Sequence, residues 1–233
     1  MSIYSERELL SQGDDVDSTL MSEGVAKSDE AAANIHHSKA AFAALLLKLA
    51  SGEAVVVLVQ EPWINIDRIC GLGSPTYSLF HASGKGKPWA CSLVKKQLIA
   101  FCLTQFSEGD ITTLTLETDE RSMVICFFYL AHDHPGPKLV SVISNLVRDY
   151  AIGDIILGCD GDANEHHVIW GNSDINVRAE LLYDYILSNN IYACNKGNDP
   201  TFFIKNRSEV LDITLASSTL IQQVSSWSVL DEY

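Results

Sequence analysis

Positive charge, long apolar runs and closely spaced cysteines are all scarce in this sequence of 233 residues. Its 16 lysines and arginines face 30 aspartates and glutamates, so the formal net charge is −14. This balance argues against a nucleic-acid-binding surface that depends on electrostatic attraction alone. The longest apolar run, residues 40–47, falls well short of the roughly 18 residues that a membrane span needs, so we expect no membrane partner.

The six cysteines lie far apart, without a CxxC pair, and most of them fall within apolar segments. Cysteines of this kind are typical of buried free thiols in a reducing compartment. The first residues are acidic and lack the basic-then-apolar order of a secretory signal. The sequence therefore predicts an intracellular protein.

Composition divides the chain at residue 34. Residues 1–33 carry eight acidic and two basic side chains and show no sustained apolar period, which predicts a mostly disordered acidic extension. Residues 34–233 alternate between helical and β patterns, which favours one α/β domain. The predicted helices begin after Ser38 and cover residues 139–150 and 177–187; the predicted strands cover residues 54–59, 90–94, 98–103, 111–116, 123–130, 155–157, 201–204, 210–215 and 224–229, with those from 90 to 130 forming an antiparallel meander.

Polar side chains stand at the ends of several predicted strands. Glu61 follows the apolar strand 54–59, and Tyr129 lies near the end of segment 123–130. Strand ends can aim such side chains into a common cleft. A carboxylate that ends a buried strand suits a hard cation such as Mg²⁺, although a carboxylate that caps a turn is the alternative at Glu61.

Asp162 and Asn164 place a carboxylate and an amide two residues apart after strand 155–157. This pair could serve as a general base and a group that orients water. The alternative interpretation is an Asx-rich turn without a catalytic role. His166 and His167 follow directly. Adjacent histidines lack the i, i+4 spacing of a zinc-binding helix, so a zinc hydrolase is disfavoured.

Six motifs occur together and in order along the chain. They are NIHHSKAA at residues 34–41, QEPW at 60–63, FFY at 127–129, DANEHH at 162–167 with WG at 170–171, DPTF at 199–202 and LDITL at 211–215. As a set they resemble the endonuclease domain of a non-LTR retrotransposon, within the endonuclease/exonuclease/phosphatase superfamily that includes apurinic/apyrimidinic endonucleases and DNase I. The resemblance runs from about residue 34 to residue 233.

The resemblance implies a DNase I-like fold, a four-layer α-β-β-α sandwich, and Mg²⁺-dependent phosphodiester hydrolysis, with Mn²⁺ as a substitute. It assigns metal binding to Glu61 and Asn34 and contact with the scissile phosphate to Tyr129. We expect the first and last core strands to be missing, because residues 27–33, where the family has its first strand, have a helical or disordered pattern.

The same resemblance assigns activation of the attacking water to Asp162 and phosphate binding to Asn164, with His166 also at the substrate. Asp212 matches the aspartate that orients the family's catalytic histidine. That histidine belongs to a closing Ser-Asp-His, which the sequence lacks before its last residue. Asp160 is a second candidate for the role of Asp162.

The implied function is to nick target DNA and so to prime reverse transcription. The expected partners are DNA and the reverse transcriptase domain of the same polyprotein, and the expected location is the nucleus. One alternative is an inactive retrotransposon-derived fragment without the catalytic histidine. Another is a phosphatase of the same superfamily, which acts on phosphate monoesters or phosphoinositides.

Overall fold

The computed structural model describes residues 2–6, 29–51, 54–66, 68–71, 74–84, 86–119, 121–129, 137–150, 153–159, 166–204 and 207–230. Within these stretches, no helix is long and apolar enough to cross a membrane.

Helices and strands alternate along the described chain. The strands are β1 (Ser2–Glu6), β2 (Asp29–Asn34), β3 (Val56–Gln60), β4 (Ile64–Asn65), β5 (Arg68–Ile69), β6 (Tyr77–Phe80), β7 (Ala90–Lys95), β8 (Ile99–Cys102), β9 (Ile111–Glu117), β10 (Ser122–Phe128), β11 (Asp154–Cys159), β12 (Ile191–Ala193), β13 (Phe202–Ile204), β14 (Arg207–Glu209), β15 (Ile213–Ser217) and β16 (Ser226–Leu230). The helices are α1 (Lys39–Ser51), α2 (Pro137–Asp149), α3 (Val177–Ser188) and the short α4 (Ser218–Ile221). The three long helices confirm the helical predictions to within a few residues.

Two six-stranded mixed sheets form the centre of the fold. The first sheet has the order β16-β1-β2-β3-β7-β6, in which the neighbours from β16 to β3 are parallel and the last two pairs are antiparallel. The second sheet has the order β12-β15-β11-β10-β9-β8, in which only β10 and β11 are parallel. Two small hairpins, β4–β5 and β13–β14, lie outside these sheets.

The apolar side chains of the sheets separate into three clusters. Phe42 and Leu45 of α1 pack with Val57 on one face of the first sheet. Leu58 and Ile125 belong to the cluster between the two sheets. The outer face of the second sheet packs with side chains of α2 and α3. Burial on both faces of each sheet explains the nearly continuous apolar sequence of β3 and confirms the four-layer α-β-β-α sandwich.

Side chains at the ends of the loops fix where two helices begin. The Ser38 hydroxyl accepts a hydrogen bond from the backbone N–H of Ala41 at 3.2 Å. The Asn176 side chain accepts one from Ala179 N–H at 2.9 Å. Each cap satisfies a donor that the helix itself leaves unpaired.

The prediction that the first core strand is missing is wrong, because β2 covers residues 29–34. Alanine favours helices, but here Ala32 faces the cluster between the sheets while Ala31 and Ala33 face the α1 side. This alternation has the period of a strand, and pairing on both edges outweighs helix propensity. Strand β1 likewise replaces predicted disorder at residues 2–6. The predicted disorder of residues 7–28 lies outside the described residues.

The predicted four-strand meander is correct only for β8, β9 and β10. The strand at residues 90–95 pairs with β3 and β6 in the first sheet instead. Its side chains alternate between two apolar environments, with Leu93 on the α1 side and Val94 between the sheets. Sequence periodicity predicts such a strand without indicating which of two sheets it joins. The expected loss of a last core strand, beyond β16, stays a prediction.

Candidate active site

Strands from both sheets end at one edge of the sandwich, which we call the site edge. In the first sheet, β2 and β3 run parallel and end there at Asn34 and Gln60. In the second sheet, β10 and β11 run parallel and end at Phe128 and Cys159. Because Cys159 pairs with Ile213, the antiparallel β15 begins at the same edge.

A tight turn between β2 and α1 forms one wall of the site. His36 and His37 have φ angles of 45° and 54°, in the left-handed region. The Asn34 side-chain oxygen accepts a hydrogen bond from His36 N–H at 3.0 Å, and the Glu61 carbonyl accepts one from His37 N–H at 2.8 Å. These bonds hold the turn against the end of β3 and offset the cost of its left-handed residues.

Glu61 is the centre of the site. Its carboxylate accepts a hydrogen bond from the Tyr129 hydroxyl at 2.7 Å on Oε1, and His36 Nδ1 lies 3.0 Å from Oε2. The Glu61 backbone also has a left-handed φ of 45°, and its N–H donates to the carbonyl of Trp89 at 2.9 Å. The side chain is only 14% exposed. The carboxylate is therefore fixed from both sheets at the mouth of the cleft.

The surroundings of Glu61 keep its carboxyl group ionised. The hydrogen bond with His36 lowers the pKa of Glu61 below its usual value, and the hydrogen bond from Tyr129 lowers it further. Partial burial acts in the opposite direction, since a charge loses hydration when it leaves water. The net result is a lowered pKa, so the group presents a negative charge at neutral pH.

Aromatic rings support the Tyr129 side of the site. Trp89 stacks on Tyr129 with ring centroids 5.5 Å apart and planes 8° from parallel. His37 packs edge-on against Trp89, with a centroid distance of 5.1 Å. The Tyr129 N–H donates to the Asp110 carbonyl at 2.8 Å. These contacts orient the Tyr129 hydroxyl towards Glu61.

Asp212 lies at the site edge of the second sheet, directly before β15. Thr201 Oγ1 accepts hydrogen bonds from both Leu211 N–H and Asp212 N–H, each at 2.9 Å. The Asn195 side-chain amide donates to the Asp212 carbonyl at 2.8 Å, and its oxygen accepts from Thr214 N–H at 2.9 Å. Two polar side chains thus fix the backbone of this segment, and the threonine of the DPTF motif acquires a structural role.

His166 is buried beside the β13–β14 hairpin. Its Nδ1 lies 2.8 Å from Asp174 Oδ1, and its Nε2 lies 3.5 Å from Glu209 Oε2. The neighbouring His167 accepts a hydrogen bond from Ile169 N–H and stacks on Tyr183 with centroids 4.4 Å apart. Both imidazoles therefore tie this loop to neighbouring elements, and the predicted substrate contact of His166 stays a prediction.

Asp162 and Asn164, and the alternative Asp160, lie outside the described residues. Strand β11 ends at Cys159, which pairs with Ile213 at the site edge. Asn34, Glu61 and Tyr129 are brought together as one cluster. The roles predicted for all these residues stay predictions.

The described residues contain no group of three or more histidine, cysteine, aspartate or glutamate side chains arranged to hold a metal ion. The Glu61 carboxylate and the Asn34 amide oxygen both contact His36, and they are ligands of the kind that Mg²⁺ prefers. Carboxylate and amide oxygens each carry two lone pairs. The site therefore fits a hard cation that keeps several of its own waters.

The sequence did not reveal two members of the cluster, His36 and Trp89. His36 contacts Glu61 because the turn adopts left-handed φ angles, which apolar periodicity does not encode. Trp89 reaches Tyr129 because β7 belongs to the first sheet. The only sequence signal for either residue is its place beside a strand end, in the motif NIHHSKAA and directly before β7.

Comparison with known proteins gives one family match and a set of similar solved structures. The family model described as Endonuclease-reverse transcriptase matches residues 123–233, from β10 to the last residue. Residues 123–233 are therefore similar to this family, over slightly less than half of the chain. No curated protein is similar enough to the chain to match it.

Solved structures give the fold over most of the chain. The endonuclease domain of TRAS1, a telomere-specific non-LTR retrotransposon, is 20% identical, with a TM-score of 0.71 and coverage of 82% of this chain and 85% of its own. The 3′-5′ exonuclease NExo from Neisseria meningitidis is 11% identical, with a TM-score of 0.56 and coverage of 82% and 87%. A β-hairpin deletion mutant of the beta toxin from Staphylococcus aureus is also 11% identical, with a TM-score of 0.56 and coverage of 88% and 92%. The chain therefore has the fold of these proteins, and residues 123–233 are similar to the endonuclease–reverse transcriptase family.

Proposed function

We propose that this domain is a Mg²⁺-dependent DNA endonuclease that nicks one strand of a duplex. The observation that carries the proposal is the ionised Glu61 carboxylate, held between His36 and Tyr129 where strands of both sheets end. The family match over residues 123–233 supports a nuclease of the retrotransposon type. The nick would supply the primer end for reverse transcription.

Glu61 and Asn34 would hold the cation through their side-chain oxygens, with Mn²⁺ as a substitute for Mg²⁺. When bound, such a cation neutralises charge on the phosphate and on the leaving oxygen. The His36 and Tyr129 hydrogen bonds fix the Glu61 carboxylate in one orientation. A preorganised carboxylate needs little rearrangement at the moment of reaction.

Phosphate contact and water activation are the roles that we propose for the other predicted residues. Tyr129 would contact the scissile phosphate, Asn164 would help to hold it, and Asp162 would activate the attacking water. Asp212 lies on a backbone segment that Thr201 and Asn195 hold at the site edge, which suits a group that orients a catalytic partner. His166 would fix the loop that follows Asn164 and would reach the substrate from there.

DNA is the proposed substrate, and the reverse transcriptase domain of the same polyprotein is the proposed partner. The proposed location of the reaction is the nucleus, where target DNA lies. The acidic composition limits electrostatic attraction, so affinity for DNA would depend on a few well-placed cations and on contacts other than charge.

The experiment is nicking of supercoiled plasmid by the full chain, with Mg²⁺, with Mn²⁺ and with EDTA. The test variant is Glu61→Gln, and the matched control is Glu117→Gln. Glu117 also accepts a hydroxyl hydrogen bond, from Ser122 at 3.0 Å, but it lies at the far end of β9.

We expect nicking by the wild type and by Glu117→Gln with either metal, and none with EDTA or with Glu61→Gln. A folded wild-type protein that nicks nothing would overturn the proposal and favour the inactive fragment. Release of phosphate from a monoester or a phosphoinositide, without nicking, would favour the phosphatase alternative.

A further inference from the structure

Strand β8 is one edge of the second sheet, and β9 is its single neighbour among the described strands. Leu103 N–H donates to the Thr113 carbonyl at 2.8 Å, which continues the ladder of β8 and β9 by one hydrogen-bonded pair. Hydrogen-bonded and non-hydrogen-bonded positions alternate in an antiparallel pair, so the backbone groups of Ala100 and Cys102 point away from β9. The outer edge of β8 therefore presents these N–H and C=O groups to a further strand.

The side chains of β8 alternate between two environments. Ala100 and Cys102 pack against the cluster between the two sheets. Ile99 and Phe101 lie on the opposite face, where they are 59% and 57% exposed. Helices α2 and α3 cover that face over other strands of the sheet, but neither Ile99 nor Phe101 belongs to the apolar cluster beneath them. The edge of the second sheet thus has an apolar surface that the helices leave uncovered.

An uncovered apolar edge strand is a template for pairing with another chain. Proteins usually protect such an edge with a proline or a charged side chain, and the sequence of β8, IAFC, has neither. Strand β12, at the other edge of the same sheet, has three residues and exposes one large apolar side chain, Tyr192. Of the two edges of this sheet, β8 is therefore the better suited to accept a strand.

We propose that β8 pairs with β8 of a second copy of this chain, in antiparallel orientation about a twofold axis at Ala100. A twofold interface must be self-complementary, because the same surface patch meets itself. The sequence of β8 satisfies this condition. With Ala100 opposite the partner's Ala100, Ile99 of each copy lies opposite Phe101 of the other, and both exposed side chains lose contact with water.

The hydrogen-bonding pattern agrees with this register. Ala100 points its N–H and C=O outward, so the two copies can exchange a pair of hydrogen bonds there. Ile99 and Phe101 then occupy non-hydrogen-bonded positions, where opposite Cα atoms approach to about 4.5 Å and side chains are closest. A β-branched side chain opposite an aromatic one is a favourable cross-strand pair. An axis at Phe101 would instead place Ile99 opposite Leu103, which is already half-buried against the second sheet.

Charges of opposite sign lie beyond the two ends of β8. Lys96 precedes the strand, Glu108 follows it, and both are exposed. In an antiparallel pair the start of one strand lies beside the end of the other, so each lysine comes to the end of the pair where the partner's glutamate lies. The Lys96 ammonium has three N–H donors, of which one binds the Ser74 carbonyl at 3.0 Å. The net charge of −14 on each copy opposes association, so we expect a weak dimer.

The proposed dimer leaves each site edge free. Strand β9 begins at the site edge, because Ile111 pairs with Phe128, and β8 runs antiparallel to β9 towards that edge. Antiparallel pairing of two β8 strands therefore points the two site edges in opposite directions. The inference goes beyond the proposed function, and its test requires no catalytic activity.

The test is the mass of the full chain in solution, measured by sedimentation equilibrium under reducing conditions. The first test variant, Phe101→Lys, places a charge beside the axis. The second, Ala100→Pro, removes an N–H that faces away from β9, a position that tolerates proline on an edge strand. The matched control is Leu187→Lys, because Leu187 is 62% exposed in the last turn of α3, where a basic side chain is favourable.

We expect the wild type and Leu187→Lys to show a reversible equilibrium between monomer and dimer, with a dissociation constant of about 10 µM. Phe101→Lys and Ala100→Pro should each weaken the dimer by about tenfold or more. The melting temperatures of the variants, measured on dilute protein, should change little, since neither substitution removes a hydrogen bond to β9. This combination separates a contact between copies from a role in folding.

Cysteine crosslinking tests the register. Ile99→Cys and Phe101→Cys chains, mixed and then oxidised, should form a disulfide between copies, because opposite residues lie within its reach. Either variant alone should crosslink no more than the wild type. A wild type that stays monomeric up to about 300 µM, or edge variants that dimerise like the wild type, would overturn the proposal. Crosslinking of Phe101→Cys with itself would also overturn it, because the axis would then lie at Phe101.

Discussion

The two sides of the site edge hold their carboxylates in different ways. On the first-sheet side, the Glu61 side chain is fixed by two side-chain hydrogen bonds on a backbone with left-handed residues. On the second-sheet side, Thr201 and Asn195 fix the backbone of the Asp212 segment. A change on the first side should therefore affect chemistry more than folding, whereas a change on the second side should affect folding first.

The largest expected effect is that of Glu61→Gln on nicking. The substitution keeps the size of the side chain but removes the charge that would hold the cation, so we expect a loss of about 10³-fold. The melting temperature should change little. Rates from plasmid nicking and a thermal melt measure both. A variant that unfolds would show instead that the first side stabilises the fold.

Thr201→Val should act mainly on stability. The substitution leaves the buried N–H of Leu211 and the partly buried N–H of Asp212 without their acceptor, at a cost of about 2–3 kcal/mol in the free energy of unfolding. Thr201→Ser retains the hydroxyl and is the matched control. Urea unfolding gives both values, and equal stability of the two variants would contradict the role of this hydroxyl.

Tyr129→Phe should lower the nicking rate by about tenfold, the value of one hydrogen bond to a charged group. The hydroxyl bond stabilises the ionised carboxylate, so its loss should raise the pKa of Glu61 towards the usual range. A carbon-13 NMR titration of the carboxyl group measures this shift.

His36→Asn should raise the pKa of Glu61 more than Tyr129→Phe does, because the His36 bond is the largest cause of the shift. An unchanged pKa in both variants would refute the proposed clamp on Glu61.

Trp89→Leu has the smallest expected effect, about a threefold loss in rate. The ring contributes by stacking on Tyr129, and such contacts contribute about 0.5–1.5 kcal/mol. Trp89→Phe should retain most of the activity, because phenylalanine can still stack. A leucine variant that equals the phenylalanine variant would show that stacking does not orient the tyrosine.

Side-chain periodicity decides which parts of the fold the sequence could predict. Strand β3 and helix α3 were predictable because burial imposes a period on their side chains. Strand β2 was missed because its alanines have a helical propensity that sheet pairing overrides.

Local sequence patterns also predicted some of the site residues and not others. Glu61, Tyr129 and Asn34 were found by their places at strand ends and by family resemblance, and the structure brings them together. The contact between His36 and Glu61 depends on left-handed φ angles, and that of Trp89 on the sheet to which β7 belongs. The spacing of apolar residues along the chain predicts neither the φ angles nor the choice of sheet.

The most direct test of the central claim is to replace Mg²⁺ with Fe²⁺ and to cleave the backbone with locally generated hydroxyl radicals. Fe²⁺ accepts oxygen ligands, and the radicals cut the chain near the ion. If both sheets contribute to one metal site, the chain should be cut near Glu61 and near Asp212. Added Mg²⁺ should suppress these cuts by competition, and Glu61→Gln should abolish them. Cuts elsewhere, or cuts that persist in Glu61→Gln, would contradict a metal site at Glu61.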